Sequence, residues 1–340
     1  MRAAWYEHQG DPYHSLVVGE MADPAPGLGE VRIAITVSGL SPGDVKKRSG
    51  WQGSTMPYPR VIPHSDGAGT IDAVGPGVDH DRIGEHVWCY GAQSYRPFGT
   101  AAEYVVVPTD LAVPLRVSTG PALSSADLDA QASCLGIAGI TAHRAVFADG
   151  SVEGLTVLIH GAAGGVGSIA TQLARRAGAQ VVAVVVDDRQ ISQAIQLGAH
   201  HAFRNEDPDL ARRIAEVAPE GVHRIAEVDL ANHVDLDAAV LAVGGVICSY
   251  STSVDHPTIP YWALGFKDST LRLLGSDDFP AIVKDDAART LTDALLDGSL
   301  RSYIAARYPL DQIADAHAAV EAGAGGRVVI EVTAATPNGT

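Results

Sequence analysis

Cysteine is scarce in this sequence: Cys89, Cys134 and Cys248 are the only three among 340 residues. They are far apart, odd in number and form no CxxC pair. That excludes a disulfide framework and favours three buried, reduced thiols in a cytoplasmic protein. Long apolar runs are missing too, since Val181–Val186 is far too short to span a bilayer. No apolar stretch follows the charge in the opening MRAAWYEHQG, so it does not read as a signal peptide. Positive charge is in deficit: 24 Lys and Arg face 40 Asp and Glu, a net charge of −16. Such a field repels polyanions and argues against nucleic-acid or anionic-membrane partners. Nothing basic clusters beyond Lys46–Arg48.

What is present is apolar material, 46% of the chain against 19% charged, enough for real cores. The length fits about two domains. The first third is expected to be β-rich, because Glu30–Ser38 alternates as a half-buried strand does and Gly and Pro cut short runs after it. Pro114–Asp129 reads as a polar connection. From Ala130 the pattern changes: a helix over Ala130–Ala148, a strand at Thr156–His160, then strands and helices in alternation. Strands are expected at Val181–Val186, Ile225–Val228, Gly245–Tyr250 and Arg327–Val332. Helices are expected at Ser168–Ala177, Ile191–Leu197, Ala287–Asp297 and Leu310–Ala322. The alternation predicts a doubly wound parallel sheet, so the fold class is α/β with a second, β-rich domain. The tail TAATPNGT reads as frayed.

Glycine is abundant, and eight residues concentrate it: His160, Gly161, Ala162, Ala163, Gly164, Gly165, Val166 and Gly167. They join a predicted strand to a predicted helix, with another strand following. That context turns a weak motif into a strong one for a dinucleotide, whose pyrophosphate needs close, bare backbone at a helix N-terminus. Ala162 stands at the first glycine position, and Gly164 and Gly167 fill the others. Ser168 stands where a P-loop would carry Lys, which excludes that competitor. Asp187 and Asp188 end the next strand, where an acidic residue binds a ribose 2′-OH. Arg189 follows and could hold a 2′-phosphate. Equally, all three suit an exposed helix N-terminus, so these residues leave NAD and NADP both open.

These blocks together resemble the zinc-independent quinone oxidoreductases (the zeta-crystallin group) of the medium-chain dehydrogenase/reductase superfamily. The resemblance runs in order through Gly39–Gly50, Ile62–Gly69, Gly99–Pro108, Gly139–Ala145, Val157–Gln172 and Gly325–Ile330. It implies a GroES-like catalytic domain from residues 1–123 and 280–340, and a Rossmann domain over 124–279. It implies NADPH, with NADH possible, as hydride donor to quinones or α,β-unsaturated carbonyl compounds, and a homodimer or tetramer. Where zinc-dependent relatives hold their metal, alignment places Ser41, Ser65 (with His64 beside it) and Ile137, so no metal is expected. His200 and His201 read as a solvent-facing or cofactor-adjacent pair.

Carried over by position, the resemblance puts Ser41, Lys46 and Trp51 at the reaction end. Ser41 replaces an Asn and keeps one donor. Lys46 replaces a Tyr and either steadies an enolate or faces solvent. Trp51 either walls the acceptor pocket or is a core aromatic. For the cofactor it points to Thr141, Ala162, Ala163, Gly164, Gly165, Val166, Asp187, Arg189, Asn205, Asn232, Tyr250, Ser251, Thr252 and Ser276. Without zinc to polarise a simple ketone, quinones and enones are the readier acceptors. Two alternatives stay open: an enoyl or 2-alkenal reductase of a biosynthetic pathway, and a cofactor-binding protein with little catalysis.

Overall fold

The computed structural model describes residues 1–116 and 124–332, so part of the Pro114–Asp129 connection and the TAATPNGT tail lie outside the described residues. Contacts divide the chain into two units. One comprises Met1–Ile137 with the segment from Ala288 onward; the other is Ala138–Ala287.

The first unit opens with the strands β1 (Arg2–Trp5), β2 (Val17–Glu20), β3 (Glu30–Leu40), β4 (Asp66–Val74), β5 (His86–Cys89), β6 (Tyr104–Pro108) and β7 (Ala112–Pro114). The second contributes β8 (Thr156–His160), β9 (Gln180–Val185), β10 (His201–Arg204), β11 (Val222–Glu227), β12 (Leu241–Ser249) and β13 (Thr270–Leu273). The chain then returns to the first unit with β14 (Ile304–Pro309) and β15 (Arg327–Glu331).

In the first unit β3 alternates as expected, burying Val31, Ile33 and Ile35 completely. Its sheet runs β14-β15-β3-β4-β5-β7, with β6 also on β3. The last strand is therefore internal: β15 pairs antiparallel with β3, Val328 opposite Leu40. Ile33, Ile35, Ile62, Ile71, Val105 and Ile330 fill the core. The indole of the fully buried Trp88 donates to Thr292 Oγ1 at 3.0 Å.

The expected single helix over Ala130–Ala148 is two. Ser125–Ala132 is one helix, capped by Ser124, and Gly136–Phe147 is the next. The break has a cause far away in sequence. The Asp66 carboxylate accepts from the Ile137 N–H at 2.9 and 3.0 Å, and a Cβ on Gly136 would meet Asp66 Oδ1 at 2.1 Å. The carboxylate from β4 thus starts the second helix, as an anion at a helix N-terminus does. The helix Pro42–Ser49, not foreseen, follows β3.

The second unit holds a fully parallel sheet in the order β10-β9-β8-β11-β12-β13. Strand β8 is buried along its whole length and β9 is buried beyond its first residue, as suits strands covered on both faces. The order reverses between β8 and β11, the switch point where such sheets bind ligands. His200 is exposed, as expected of a solvent-facing pair, but both residues are also tied to the sheet. His200 Nδ1 accepts from the Val181 N–H at 2.9 Å, and His201 opens β10. The three cysteines are free and buried, with burial pushing Cys248 up to about 11. No helix among the described residues is long and apolar enough to cross a membrane.

Candidate active site

β8 ends at His160, and the chain turns at Gly161 with φ +60°, a conformation that suits glycine. Gly164 then caps the helix Gly165–Arg176. A Cβ on Gly167 would lie 2.2 Å from the Gly161 carbonyl, so only glycine lets helix and turn close this tightly. Ala162 and Ala163 are buried, and the Ala162 N–H donates to the Val184 carbonyl at 3.2 Å. Val166 and Gly165 open the first helical turn, whose N–H groups lack intrahelical acceptors. The turn thus offers bare backbone and a positive dipole end, which fits the pyrophosphate of a nicotinamide dinucleotide.

Asp187 is the N-cap of the helix Asp188–Gln196, where one carboxylate oxygen accepts from the Gln190 N–H at 2.8 Å. Asp188 and Arg189 are exposed on the first turn. Arg204, which sequence reasoning missed, lies 3.9 Å from Asp188 beside a cleft of about 350 Å³ that also takes in Ile191, Phe203 and Arg213. Asn205 continues β10, its N–H bonded to the Val185 carbonyl at 2.9 Å.

Across the switch point, Asp229 organises the loop after β12. It accepts from Asn232 Nδ2 at 2.6 Å and from the Ser253 N–H at 2.7 Å, and Asn232 also donates to Ser253 Oγ at 3.2 Å. The Ser251 carbonyl accepts from the Leu230 N–H, and Thr252 Oγ1 donates to the Val254 carbonyl at 3.0 Å. The Tyr250 N–H bonds the Glu227 carbonyl, while burial pushes its phenol well above the usual tyrosine range. The structure therefore gathers Ala162–Val166, Asp187, Asn232 and Tyr250–Thr252 at the carboxyl ends of neighbouring strands. Thr141 sits buried on the Gly136–Phe147 helix, and Ser276 opens a short turn after β13.

In the first unit, Ser41 is the N-cap of Pro42–Ser49, its N–H held by Asp44 at 2.8 Å. The buried Arg327 guanidinium approaches Ser41 Oγ at 3.4 Å from two nitrogens. Because Arg can only donate, the hydroxyl proton is left to point elsewhere. Arg327 gave no signal beyond its place in the last strand block. Lys46 Nζ stands 4.3 Å above the Trp51 ring, so these two expected residues do meet, and Trp51 is 38% exposed rather than a core aromatic. Arg48 is a buried clamp, donating to the Gly10 carbonyl and to Glu321.

The zinc positions do not fit a zinc ion. Ser41 is a cap beside a guanidinium, and Ile137 has no donor side chain. His64 is spent on neighbours: Nδ1 lies 2.9 Å from Ser38 Oγ and Nε2 3.0 Å from His317 Nε2. Such a site needs three N, S or O ligands around one point.

Comparison with known proteins agrees on the two parts. Residues 27–117 match the alcohol dehydrogenase GroES-like domain, and residues 165–284 match the family described as zinc-binding dehydrogenase. A quinone oxidoreductase of Rattus norvegicus is 28% identical over 93% of this chain and 93% of its own length. An alcohol dehydrogenase of Geobacillus stearothermophilus is 32% identical over 66% of this chain and 69% of its own. A solved mycobacterial structure complexed with NADPH superposes with a TM-score of 0.81 at 25% identity, covering 97% of this chain and 99% of that one.

Proposed function

Because the chain belongs to the medium-chain dehydrogenase/reductase family, among its quinone oxidoreductase-like members, we propose that it is an NADPH-dependent reductase of quinones or α,β-unsaturated carbonyl compounds. The observation that carries this reading is the strand–turn–helix at Gly161–Gly167, with room for backbone and none for a side chain at Gly167. When bound, the nicotinamide supplies a hydride. The rest falls to the residues. The turn's N–H groups and helix dipole hold the pyrophosphate. Asn232 and the Tyr250–Thr252 loop, braced by Asp229, wall the ribose side. Arg189 and Arg204 stand ready for a 2′-phosphate, and Asp187 has one oxygen committed to its own helix.

Hydride arrival leaves negative charge on the acceptor oxygen. We assign the Ser41 hydroxyl as the donor to that oxygen and the Lys46 ammonium as the charge that favours it. Trp51 offers a flat apolar wall. Protonation comes from water, so no acid–base pair is required. An enone acceptor, as in the 2-alkenal alternative, would draw on the same cation and differ only in pocket shape.

The reading extends to a homodimer. The edge strand β13 and the exposed Val243, Tyr261, Trp262, Phe266 and Leu273 of the same unit support a self-association surface.

The test is a fluorescence-quenching titration with NADPH and NADH, followed by NADPH oxidation with benzoquinone, phenanthrenequinone and a simple enone. NADPH binding with turnover of any acceptor is the expected result. Binding of neither cofactor would sink the reading. Binding without turnover would favour the protein with little catalysis.

A further inference from the structure

The ends of β8 and β11 lie side by side, with Ala226 in register with Ile159, so the next residues, His160 and Glu227, are neighbours. The helix Leu230–Val240 passes over the same point and brings His233 and Asp237, one turn apart, onto it. His160 Nε2 lies 2.8 Å from Asp237 Oδ1 and 3.4 Å from Glu227 Oε2, and His233 Nδ1 lies 2.9 Å from Glu227 Oε1. Candidate ligand atoms of His160, Glu227 and His233 all fall within 4.8 Å of one another. The side chains of His160, Glu227 and Asp237 have no solvent exposure, and that of His233 has 20%. Glu227 Oε2 and Asp237 Oδ2 meet no N–H or hydroxyl donor, and the two carboxyl groups lie within hydrogen-bond reach of each other.

Two carboxylates without water repel each other and are each poorly solvated. A dication would offset both at once and replace the proton that the two carboxyl groups otherwise share. A tetrahedral ion about 2.1 Å from each ligand sets ligand–ligand edges of about 3.4 Å. The His160–Asp237 and His233–Glu227 contacts are shorter hydrogen bonds and the two rings stack 8° from parallel, so binding an ion requires these bonds to open and one imidazole to turn. Two imidazoles with carboxylates are the ligand set of zinc and similar borderline ions. Glu227 is also oriented from outside, because Oε1 accepts from the Asp229 N–H.

The geometry points to a divalent transition-metal site, of zinc type, held by His160, Glu227, His233 and Asp237. It is separate from Ser41, Ser65 and Ile137, and it does not depend on the proposed reductase activity. An ion there would staple two strands and a helix directly below the glycine turn. Its role is therefore structural, and its loss would loosen the cofactor turn rather than remove a reacting group.

Cobalt(II) titration of the chelator-treated full-length protein tests this, read by visible absorption and followed by zinc competition. The expected result is one cobalt per chain with intense tetrahedral bands, displaced by equimolar zinc, and a higher unfolding midpoint with metal. The bands should vanish in His233→Ala, whose site is the most accessible, and in Glu227→Gln, which keeps side-chain size. They should persist when the exposed His14 and His256 are both changed to Ala. Absence of cobalt bands in the wild type would overturn the site. So would bands that survive His233→Ala, or bands lost with His14 and His256. Should His233→Ala fail to fold, Glu227→Gln decides alone.

Discussion

Each unit buries a stacked pair of histidines, and the two pairs keep opposite company. In the first unit His64 and His317 stack at 5.2 Å, with the hydroxyls of Ser38 and Thr100 behind His64. In the second, His160 and His233 stack at 4.4 Å against Glu227 and Asp237. Three of the four imidazoles are fully buried and His233 is 20% exposed, but the larger difference is the charge beside them. Beside hydroxyls alone, both imidazoles of the first pair must stay neutral. Burial pushes His64 down to about 3, and burial together with His64 and Arg48 pushes His317 well below its usual value. Beside carboxylates the second pair divides: burial still pushes His160 down to about 4, whereas at His233, where burial also lowers, the hydrogen bond and charge of Glu227 win and push it up. The lesson is that burial sets the direction at three of the four imidazoles, and the bonded Glu227 carboxylate reverses it at the half-buried His233.

Removing the carboxylate from the second pair should give the largest effect. In metal-free protein, Glu227→Ala leaves buried histidines and Asp237 mismatched, and should cost about 3–5 kcal/mol of stability in urea unfolding. A cost below about 1 kcal/mol would show that the cluster is not electrostatically coupled. Next, Gly167→Ala pushes a methyl toward the Gly161 carbonyl just above that cluster. NADPH affinity should fall about 100-fold, or about 2.7 kcal/mol, in a quenching titration; an unchanged Kd would refute the turn's role.

Acid should weigh on both histidines of the first pair, and on His160 alone of the second, which burial pushes down to about 4. The unfolded-state pKa, about 6.5, exceeds the folded value, so the unfolded chain takes up more protons as pH falls below it. Stability is present above that pH and declines toward the folded pKa. At about pH 5 the loss should be about 2 kcal/mol per histidine. His64→Asn should flatten the pH dependence, and a slope unchanged by that substitution would contradict the neutral pair. The smallest effect concerns the acceptor side. Trp51→Ala removes a contact with Lys46 of about 0.5–1 kcal/mol, and should raise acceptor KM about two- to fivefold while leaving NADPH affinity alone. A change in NADPH affinity instead would move Trp51 out of the proposed role.

Much of the second unit was legible because its signals are local. The glycine turn, the β-branched run before Asp187 and the alternation of elements each sit within a few residues. Short strands such as β10 and β13 escaped, because four-residue runs carry little periodicity. The first unit's surprises are long-range. Asp66 splits a continuous helical pattern from a distance of 71 residues, and Ser124 caps a helix inside a stretch whose polarity suggests a connection. Of the candidate site residues, Lys46 and Trp51 lie five apart in sequence and do meet. Neither histidine pair could be foreseen, because no pattern links His64 to His317 or His160 to His233.

The position of β15 bears on the order in which the chain matures. It lies between β14 and β3, yet it is the final strand. A growing chain would therefore expose one side of β3 until residue 331 had left the ribosome. The second unit is contiguous and complete by residue 287, so it can acquire its structure during synthesis. The beginning of this protein finishes folding after its middle, and a stalled or truncated chain would carry an open strand edge ready to aggregate.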